Sequence, residues 1–198
     1  QAFVQLTWPH KDTDWASVLA DAVSCFCEIA RHVVKYEPLL IVAQHPEEAK
    51  VALTERGISL DRITFVQCLT NDTWARDHAR SEEHTSELQS RRDHAFITCV
   101  DESSRKVILN DFQFNGWGLK FAACHDNQIN RHVFPDIASH YQGLGIQAEY
   151  RNCLDFVFEG GSIESDGEGT LMVTSSCLLA ENRNNTISQE DIELRLKQ

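Results

Sequence analysis

Four short segments of the chain carry indole rings, carboxylates or both, and these side chains suit recognition of a flat cation. They occupy residues 7–15, 71–77, 114–118 and 158–162. An indole face attracts a guanidinium or ammonium group, and a carboxylate can accept two guanidinium N–H groups at once. Taken singly, each segment also fits a core tryptophan or a solvated ion pair. Taken together, they predict a site for a planar cation.

The elements that would position these segments alternate strand and helix in the first third of the chain. Short apolar runs predict strands at residues 2–6, 39–42 and 63–66, with a surface helix at 46–56 that Gly57 ends. A long helix capped by Asp14 is predicted between the first two strands. Its apolar stripe has helical spacing and comprises Val18, Ala22, Val23, Phe26, Ile29, Ala30 and Val33.

Farther along, strands outnumber helices, and a strict βαβ repeat is absent. The predicted strands lie at residues 95–100, 106–111, 146–150 and 156–158, with a turn at 102–105, a helix at 127–141 and a last helix starting at Ser188. Units of two or three strands to one helix favour an α/β fold other than a doubly wound sheet. We expect a single domain over residues 1–198.

Composition narrows the classes of partner. The net charge of −12 and the lack of a Lys/Arg cluster argue against nucleic acid, and no apolar run is long enough to span a membrane. Most of the seven cysteines lie in apolar runs, among them Cys25, Cys27, Cys68 and Cys99. This pattern predicts buried free thiols and a cytoplasmic protein. We expect no metal ion and no organic cofactor.

One tract does not fit its surroundings. Residues 80–90, RSEEHTSELQS, lie between two copies of the tetrapeptide RDHA, at 76–79 and 92–95. The tract resembles the translation of a common short-read sequencing adapter, and a direct repeat around a foreign tract indicates a faulty join. An interval of about residues 77–92 is therefore interpreted as a foreign, disordered insert, and we expect residues 80–91 to contribute nothing to function.

In this order, the motifs resemble the agmatine deiminase family, which includes the bacterial-type peptidylarginine deiminases. The motifs are T-W-P-H, N-D-T-W-A-R-D, F-N-G-W-G-x-K-F, E-G-G-S-I-E-x-D-G-E-G-T and C-L-L-x-x-N-R-N. The resemblance covers nearly the whole chain outside the insert. It implies an incomplete pentein-type α/β propeller, built from ββαβ units around a pseudo-fivefold axis.

The resemblance also implies a reaction and roles for residues. Agmatine, a small-molecule guanidine, would be hydrolysed to N-carbamoylputrescine and ammonia through a covalent cysteine intermediate, in putrescine biosynthesis. Asp77 would be the catalytic carboxylate that binds the guanidinium, with Trp74 packed near the substrate. Glu159 would orient the catalytic histidine. Because the tetrapeptide is duplicated, Asp93 is the alternative to Asp77.

The family's nucleophile and histidine motifs match no position of this chain. Cys177 has an apolar flank that indicates a structural role, and His10, His78 and His94 are interpreted as bystanders or local hydrogen-bonding groups. We therefore expect the 198-residue chain to be inactive by itself. Two alternatives stay open, a peptidylarginine deiminase and a non-catalytic pentein binding module. The resemblance makes a homo-oligomer plausible.

Overall fold

The structure is a computed structural model that describes residues 3–78, 97–101, 106–165 and 170–197. The predicted insert falls largely outside these residues, as do Asp93 and the predicted turn at 102–105. Asp77 and His78, the first residues of the interval 77–92, are described and belong to a short helix.

The first unit is a parallel sheet with helical connections. Strands β1 (Val4–Thr7), β2 (Leu39–Ala43) and β3 (Ile63–Gln67) pair in the order β1-β2-β3. Helix α1 (Leu19–Val33) follows a 3-10 turn at Ala16–Val18, and α2 (Pro46–Glu55) follows β2. All five residues of β2 are buried, as expected for a central strand covered on both faces. The predicted alternation of strand and helix is confirmed.

The second unit is a mixed sheet. Helix α3 (Ala75–His78) precedes strands β4 (Ile97–Asp101) and β5 (Lys106–Gln113), and helix α4 (Asp126–Gly143) leads into β6 (Gln147–Val157). Strand β5 lies centrally, antiparallel to β4 and parallel to β6.

The prediction of two strands at 146–150 and 156–158 was wrong, because one strand spans the interval. Pairing with β5 continues through the polar residues Arg151 and Asn152, and a register shift between Phe112 and Gln113 absorbs the extra residues.

The last part of the chain is a hairpin with short helices. A 3-10 turn, Gly160–Ser162, leads into β7 (Ile163–Ser165), which pairs antiparallel with β8 (Leu171–Val173). Helices α5 (Ser175–Leu178) and α6 (Gln189–Arg195) follow. The predicted start of the last helix is confirmed, since Oγ of Ser188 accepts the Asp191 N–H at 3.1 Å.

The two sheets share a core. One face of the first sheet packs under α1 and α2, around Trp8, Leu53 and Ile41. The opposite face, with Leu40 and Val42, packs against side chains of the second unit.

Two further predictions about the first helix were wrong. Asp14 does not cap it: its backbone N–H donates to Asp72 Oδ2 at 2.8 Å, and α1 begins five residues later without a side-chain cap. Two members of the apolar stripe lie outside the core, since Val18 is 47% exposed and Ile29 is 39% exposed. Ala22 and Ala30 are buried as predicted.

The cysteine side chains also divide into buried and exposed ones. Cys27 and Cys68 are buried as predicted, whereas Cys25 is exposed. Residues two apart on an α-helix point about 200° apart, so Cys25 and Cys27 cannot share the core face. The side chain of Cys99 lies outside the described residues.

The α/β class is confirmed. The sheets are small and open, so the arrangement around a pseudo-fivefold axis stays a prediction. Within the described residues, no helix is both long and apolar enough to cross a membrane.

Candidate functional site

Asp77 lies at the centre of the candidate site, half-buried on α3. The backbone N–H of Gly161 and the indole N–H of Trp117 lie near its carboxylate and lower its pKa. Burial raises the pKa of Asp77 above its ordinary value, and the negative charge of Glu159 raises it further. The two N–H groups and the positive charge of Arg76 lower the pKa, so protein groups partly replace the water that burial removes.

Glu159 is the second acidic group of the site and is only 3% exposed. Its Oε1 accepts the backbone N–H of Trp117 at 2.9 Å and that of Asn115 at 3.3 Å. Its Oε2 forms an ion pair with Arg183. Burying a carboxylate is strongly unfavourable unless it is paired and hydrogen-bonded, and these contacts meet both conditions.

A left-handed turn, Gly116–Leu119, connects the two acidic groups. All four residues have positive φ, including the non-glycine residues Trp117 at 58° and Leu119 at 67°. Such a conformation costs roughly 1–2 kcal/mol for each non-glycine residue. Oδ1 of Asn115 accepts the Gly118 N–H at 2.8 Å and helps to close the turn. The turn directs the Trp117 backbone N–H to Glu159 while its indole reaches Asp77.

Aromatic rings enclose this arrangement. Trp117 packs edge-on against Trp74, with ring centroids 4.7 Å apart and an interplanar angle of 79°. Phe114 and Phe121 also pack edge-on against Trp117, at 5.6 and 5.4 Å. The structure therefore brings Trp74, Asp77 and Glu159 together around one indole. The chemical roles predicted for them are a separate question.

The loop that carries Trp74 and Asp77 is fixed to the start of α4 through Asn71. The Asn71 N–H donates to Asp126 Oδ1 at 2.7 Å, and Asn71 Oδ1 accepts the His125 N–H at 2.7 Å. An amide oxygen at this place satisfies free N–H groups of the helix terminus. The reciprocal bonds connect the loop after β3 to the start of α4.

The first sequence segment supports the same loop from the other side. The Trp15 indole N–H donates to Thr73 Oγ1 at 2.8 Å, and Nε2 of His10 lies 3.0 Å from Thr70 Oγ1. Trp8, by contrast, is a core residue, packed edge-on against Phe26. The segment at 7–15 therefore contributes mainly to positioning.

The histidines in these loops have local partners. His78 is buried, and its Nε2 lies 3.5 Å from Thr7 Oγ1. Burial lowers the pKa of His78 to about 3, so the ring is neutral near pH 7. Burial also lowers the pKa of His10. No cluster of three or more metal-ligating side chains occurs in the part of the chain that the structure describes.

Sequence reasoning missed the role of Arg183. The residue stands in the motif C-L-L-x-x-N-R-N, but nothing in that motif shows that its guanidinium meets Glu159, twenty-four positions earlier. Arg183 is 10% exposed, and its Nη1 donates to the Cys177 carbonyl at 3.1 Å.

The fold and site define an α/β protein with a half-buried carboxylate and aromatic walls, a combination suited to a planar cation. The sequence model of the Porphyromonas-type peptidyl-arginine deiminase family matches residues 1–198. The chain belongs to this family.

Named relatives agree. The chain is 30% identical to an agmatine deiminase of Pseudomonas aeruginosa, an alignment covering 97% of this chain and 46% of that protein. A substrate-bound agmatine deiminase variant of C. jejuni superposes with a TM-score of 0.74 at 28% identity, covering 100% of this chain and 50% of the other. An agmatine deiminase of Enterococcus faecalis gives 0.67 at 25% identity, covering 99% and 47%. The chain thus spans about half the length of the relatives it matches.

Proposed function

We propose that this chain forms the guanidinium-binding part of a guanidine deiminase that acts on agmatine. The whole protein would hydrolyse agmatine to N-carbamoylputrescine and ammonia by covalent cysteine catalysis. The family membership and the relatives named agmatine deiminase support this class of reaction. The substrate-bound neighbour supports a small guanidine as ligand.

A charge imbalance at the site carries the proposal. Asp77 and Glu159 carry two negative charges, and Arg183 compensates the one on Glu159. Asp77 has no ion pair with any described residue, because its neighbour Arg76 pairs with Glu164 at 3.0 Å instead. One uncompensated negative charge on a half-buried carboxylate beside aromatic rings is best satisfied by a monovalent cation.

The surrounding groups favour a guanidinium over a compact ammonium. A carboxylate and a guanidinium are both planar and can form two parallel N–H···O bonds. The rings of Trp74 and Trp117 meet nearly at a right angle, so a flat cation on Asp77 can lie against one ring face and meet the edge of the other. Asp77 would therefore fix the plane of the substrate as well as its charge.

Glu159 fits the proposed orientation of a histidine by its remaining capacity. A carboxylate has about four acceptor positions. Glu159 uses two on Oε1 and one on Oε2 within this chain. One position on Oε2 is left, enough for a single imidazole N–H supplied by the rest of the protein. Direct contact between Glu159 and the substrate is less favourable, because its other positions are occupied.

Calorimetric titration of the purified chain with agmatine tests the proposal. We expect saturable binding that Asp77→Asn abolishes and that Asp136→Asn, an exposed change on α4, leaves unaltered. Putrescine, which lacks the guanidine, should not compete. Binding of Nα-acylarginine amide in preference to agmatine would point to a peptidylarginine substrate. Agmatine binding unaffected by Asp77→Asn, or no binding at all, would refute the proposed site.

Turnover is measured separately, as ammonia release from agmatine. We expect the 198-residue chain to release none above the rate of a buffer blank, since no cysteine here has the expected context. Ammonia release that iodoacetamide abolishes would show instead that one of these cysteines is a nucleophile.

A further inference from the structure

We propose that Arg183 is a positioning residue of the guanidinium site, acting on Asp77 through Glu159 and the left-handed turn. This inference rests on the proposed function for its consequence in ligand binding. Its structural part concerns the free chain alone. Arg183 does not contact Asp77 in any described interaction, so its influence must pass through intermediates.

The path consists of consecutive polar contacts. Arg183 Nη2 donates to Glu159 Oε2, and Glu159 Oε1 accepts the Trp117 backbone N–H at 2.9 Å. The indole N–H of the same Trp117 lies near the Asp77 carboxylate and lowers its pKa. One residue, Trp117, therefore joins the two acidic groups, with its main chain bound to one and its indole beside the other.

The segment around Arg183 holds the turn by a second contact. The Asn182 carbonyl accepts the Asn115 side-chain N–H at 2.7 Å, and Asn115 Oδ1 caps the Gly118 N–H. Arg183 itself is fixed by donation to the Cys177 carbonyl. The contacts to Glu159 and to Asn115 thus both come from the loop that follows α5.

The conformation of Trp117 makes the path sensitive to Arg183. A non-glycine residue in the left-handed region persists only where its surroundings impose it. Here the Trp117 backbone N–H donates to the buried carboxylate of Glu159. Arg183 is the sole cationic partner of that carboxylate among the described residues. Without Arg183, Glu159 would be a buried unpaired charge and would leave its place or take up a proton. The turn would then lose its acceptor, and the indole its alignment with Asp77.

A purely structural ion pair makes a different prediction. In that case, loss of Arg183 would lower the free energy of unfolding but leave the Trp117 indole on Asp77. The difference lies in the local environment of Trp117 in the folded, ligand-free protein. Nuclear magnetic resonance reports on it through two signals of the same residue, the indole N–H and the backbone amide.

The first experiment compares Arg183→Met, Arg183→Lys and Arg195→Met in 15N-labelled chain without ligand. Arg195 is the matched control, because it pairs with Asp155 at 2.7 Å in the same part of the chain but lies outside the path. We expect Arg183→Met to shift both Trp117 signals and Arg195→Met to shift neither. Arg183→Lys should shift the two Trp117 signals less than Arg183→Met does, because lysine supplies the charge without the planar fork. Unchanged Trp117 signals in folded Arg183→Met would overturn the proposal.

Circular dichroism identifies a variant that fails to fold. If Arg183→Met is unfolded, Arg183→Gln, which keeps a hydrogen-bond donor without the charge, decides the question: a folded glutamine variant with wild-type Trp117 signals overturns the proposal, and shifted signals support it. Double substitution with Glu159→Gln adds a check. If Arg183 acts through Glu159, the effects of the two changes on the Trp117 indole should be far from additive.

The second experiment titrates the same variants with agmatine. Misplacement of a binding group by about 1 Å can reduce its effect about 100-fold. We therefore expect the dissociation constant for agmatine to rise at least tenfold in Arg183→Met and to stay unchanged in Arg195→Met. If wild-type chain binds no agmatine, the proposed function fails while the resonance result still decides the positioning role. If agmatine binds equally to Arg183→Met, the positioning role is wrong and the proposed function stands.

Discussion

Gly161 and Asp77 are in direct contact, backbone to carboxylate. A Cβ atom at position 161 would overlap Asp77 Oδ1, and the Gly161 N–H lowers the pKa of the Asp77 carboxyl. The requirement for glycine at this position is therefore one of space. In the motif F-E-G-G, Glu159 is one of the two carboxylates of the site, and Gly161 leaves room for the other, Asp77.

Gly161→Ala should displace the Asp77 carboxylate and abolish guanidinium binding while the fold persists. The added methyl group meets a side chain that can rotate, so the protein relieves the overlap by moving Asp77. We expect agmatine affinity to fall at least tenfold, as measured by calorimetry, with a loss of unfolding free energy of about 1–3 kcal/mol, as usual for overpacking.

Gly143→Ala is the matched control for this change. Gly143 ends α4, is exposed, and a Cβ there would meet no atom within 4 Å. Alanine at such a position stabilises by about 0.4–1 kcal/mol through the unfolded state. Equal agmatine affinity in the Gly161→Ala and wild-type chains would show that Asp77 does not hold the ligand.

Agmatine affinity should depend on the ionisation of Asp77. Its pKa is raised above the ordinary 3.8 by burial and by the charge of Glu159. A cation binds the deprotonated form, so affinity is full above the raised pKa and falls as pH is lowered through it, about tenfold per unit at the limit. The decline should thus begin at a higher pH than for an ordinary aspartate.

Calorimetry at several pH values between about 4 and 8 measures this dependence, since a guanidinium stays charged throughout this range. Asp77→Asn removes the titrating group, and its residual affinity should vary little with pH. A wild-type affinity that stays constant down to pH 4 would contradict the assignment of Asp77.

The sequence was sufficient for the parts of this structure that depend on local pattern. The apolar run of β2, the glycine after α2 and the serine cap of α6 each have a direct structural cause, and each prediction is confirmed. Prediction failed where tertiary contacts replace a local rule. Asp14 resembles a helix cap, but Asp72 takes its N–H and the helix begins later.

The site divides in the same way. Trp74, Asp77 and Glu159 could be named from residue type and resemblance. Arg183, Asn71 and the left-handed turn could not, because each works through a contact distant in sequence. A tryptophan at φ 58° between glycines leaves no periodic signal. Only the coordinates show that its amide and its indole serve different carboxylates.

Asp126 should make the protein less stable as pH rises. The residue is fully buried, and burial raises its pKa from 3.8 to about 6. A raised folded-state pKa contributes stability that is complete below about pH 3.8 and lost as pH rises to about 6. The total is about 3 kcal/mol, at 1.36 kcal/mol for each pKa unit. Asp126→Asn removes this titration, and its O atom can still accept the Asn71 N–H.

Denaturant unfolding at a series of pH values checks the Asp126 prediction. The difference in unfolding free energy between Asp126→Asn and wild type should change in favour of the variant between about pH 4 and 6.5. The exposed Asp136→Asn, on the same helix, is measured in parallel as the control. A flat difference for Asp126→Asn would show that Asp126 keeps an ordinary pKa in the folded chain.

Leu119→Gly should stabilise the protein, whereas the same substitution at Leu194 should destabilise it. Leu119 is 72% exposed and has φ 67°, so glycine removes backbone strain and little packing. Relief of about 1–2 kcal/mol exceeds the extra unfolded-state entropy of glycine, and we expect a net gain of about 0.5–1 kcal/mol. Leu194 is 58% exposed within α6, where glycine costs about 1 kcal/mol. Denaturant unfolding of both variants measures the two signs. A loss of stability in Leu119→Gly would mean that this turn is not left-handed in solution, and the route from Glu159 through Trp117 to Asp77 would lose its geometric basis.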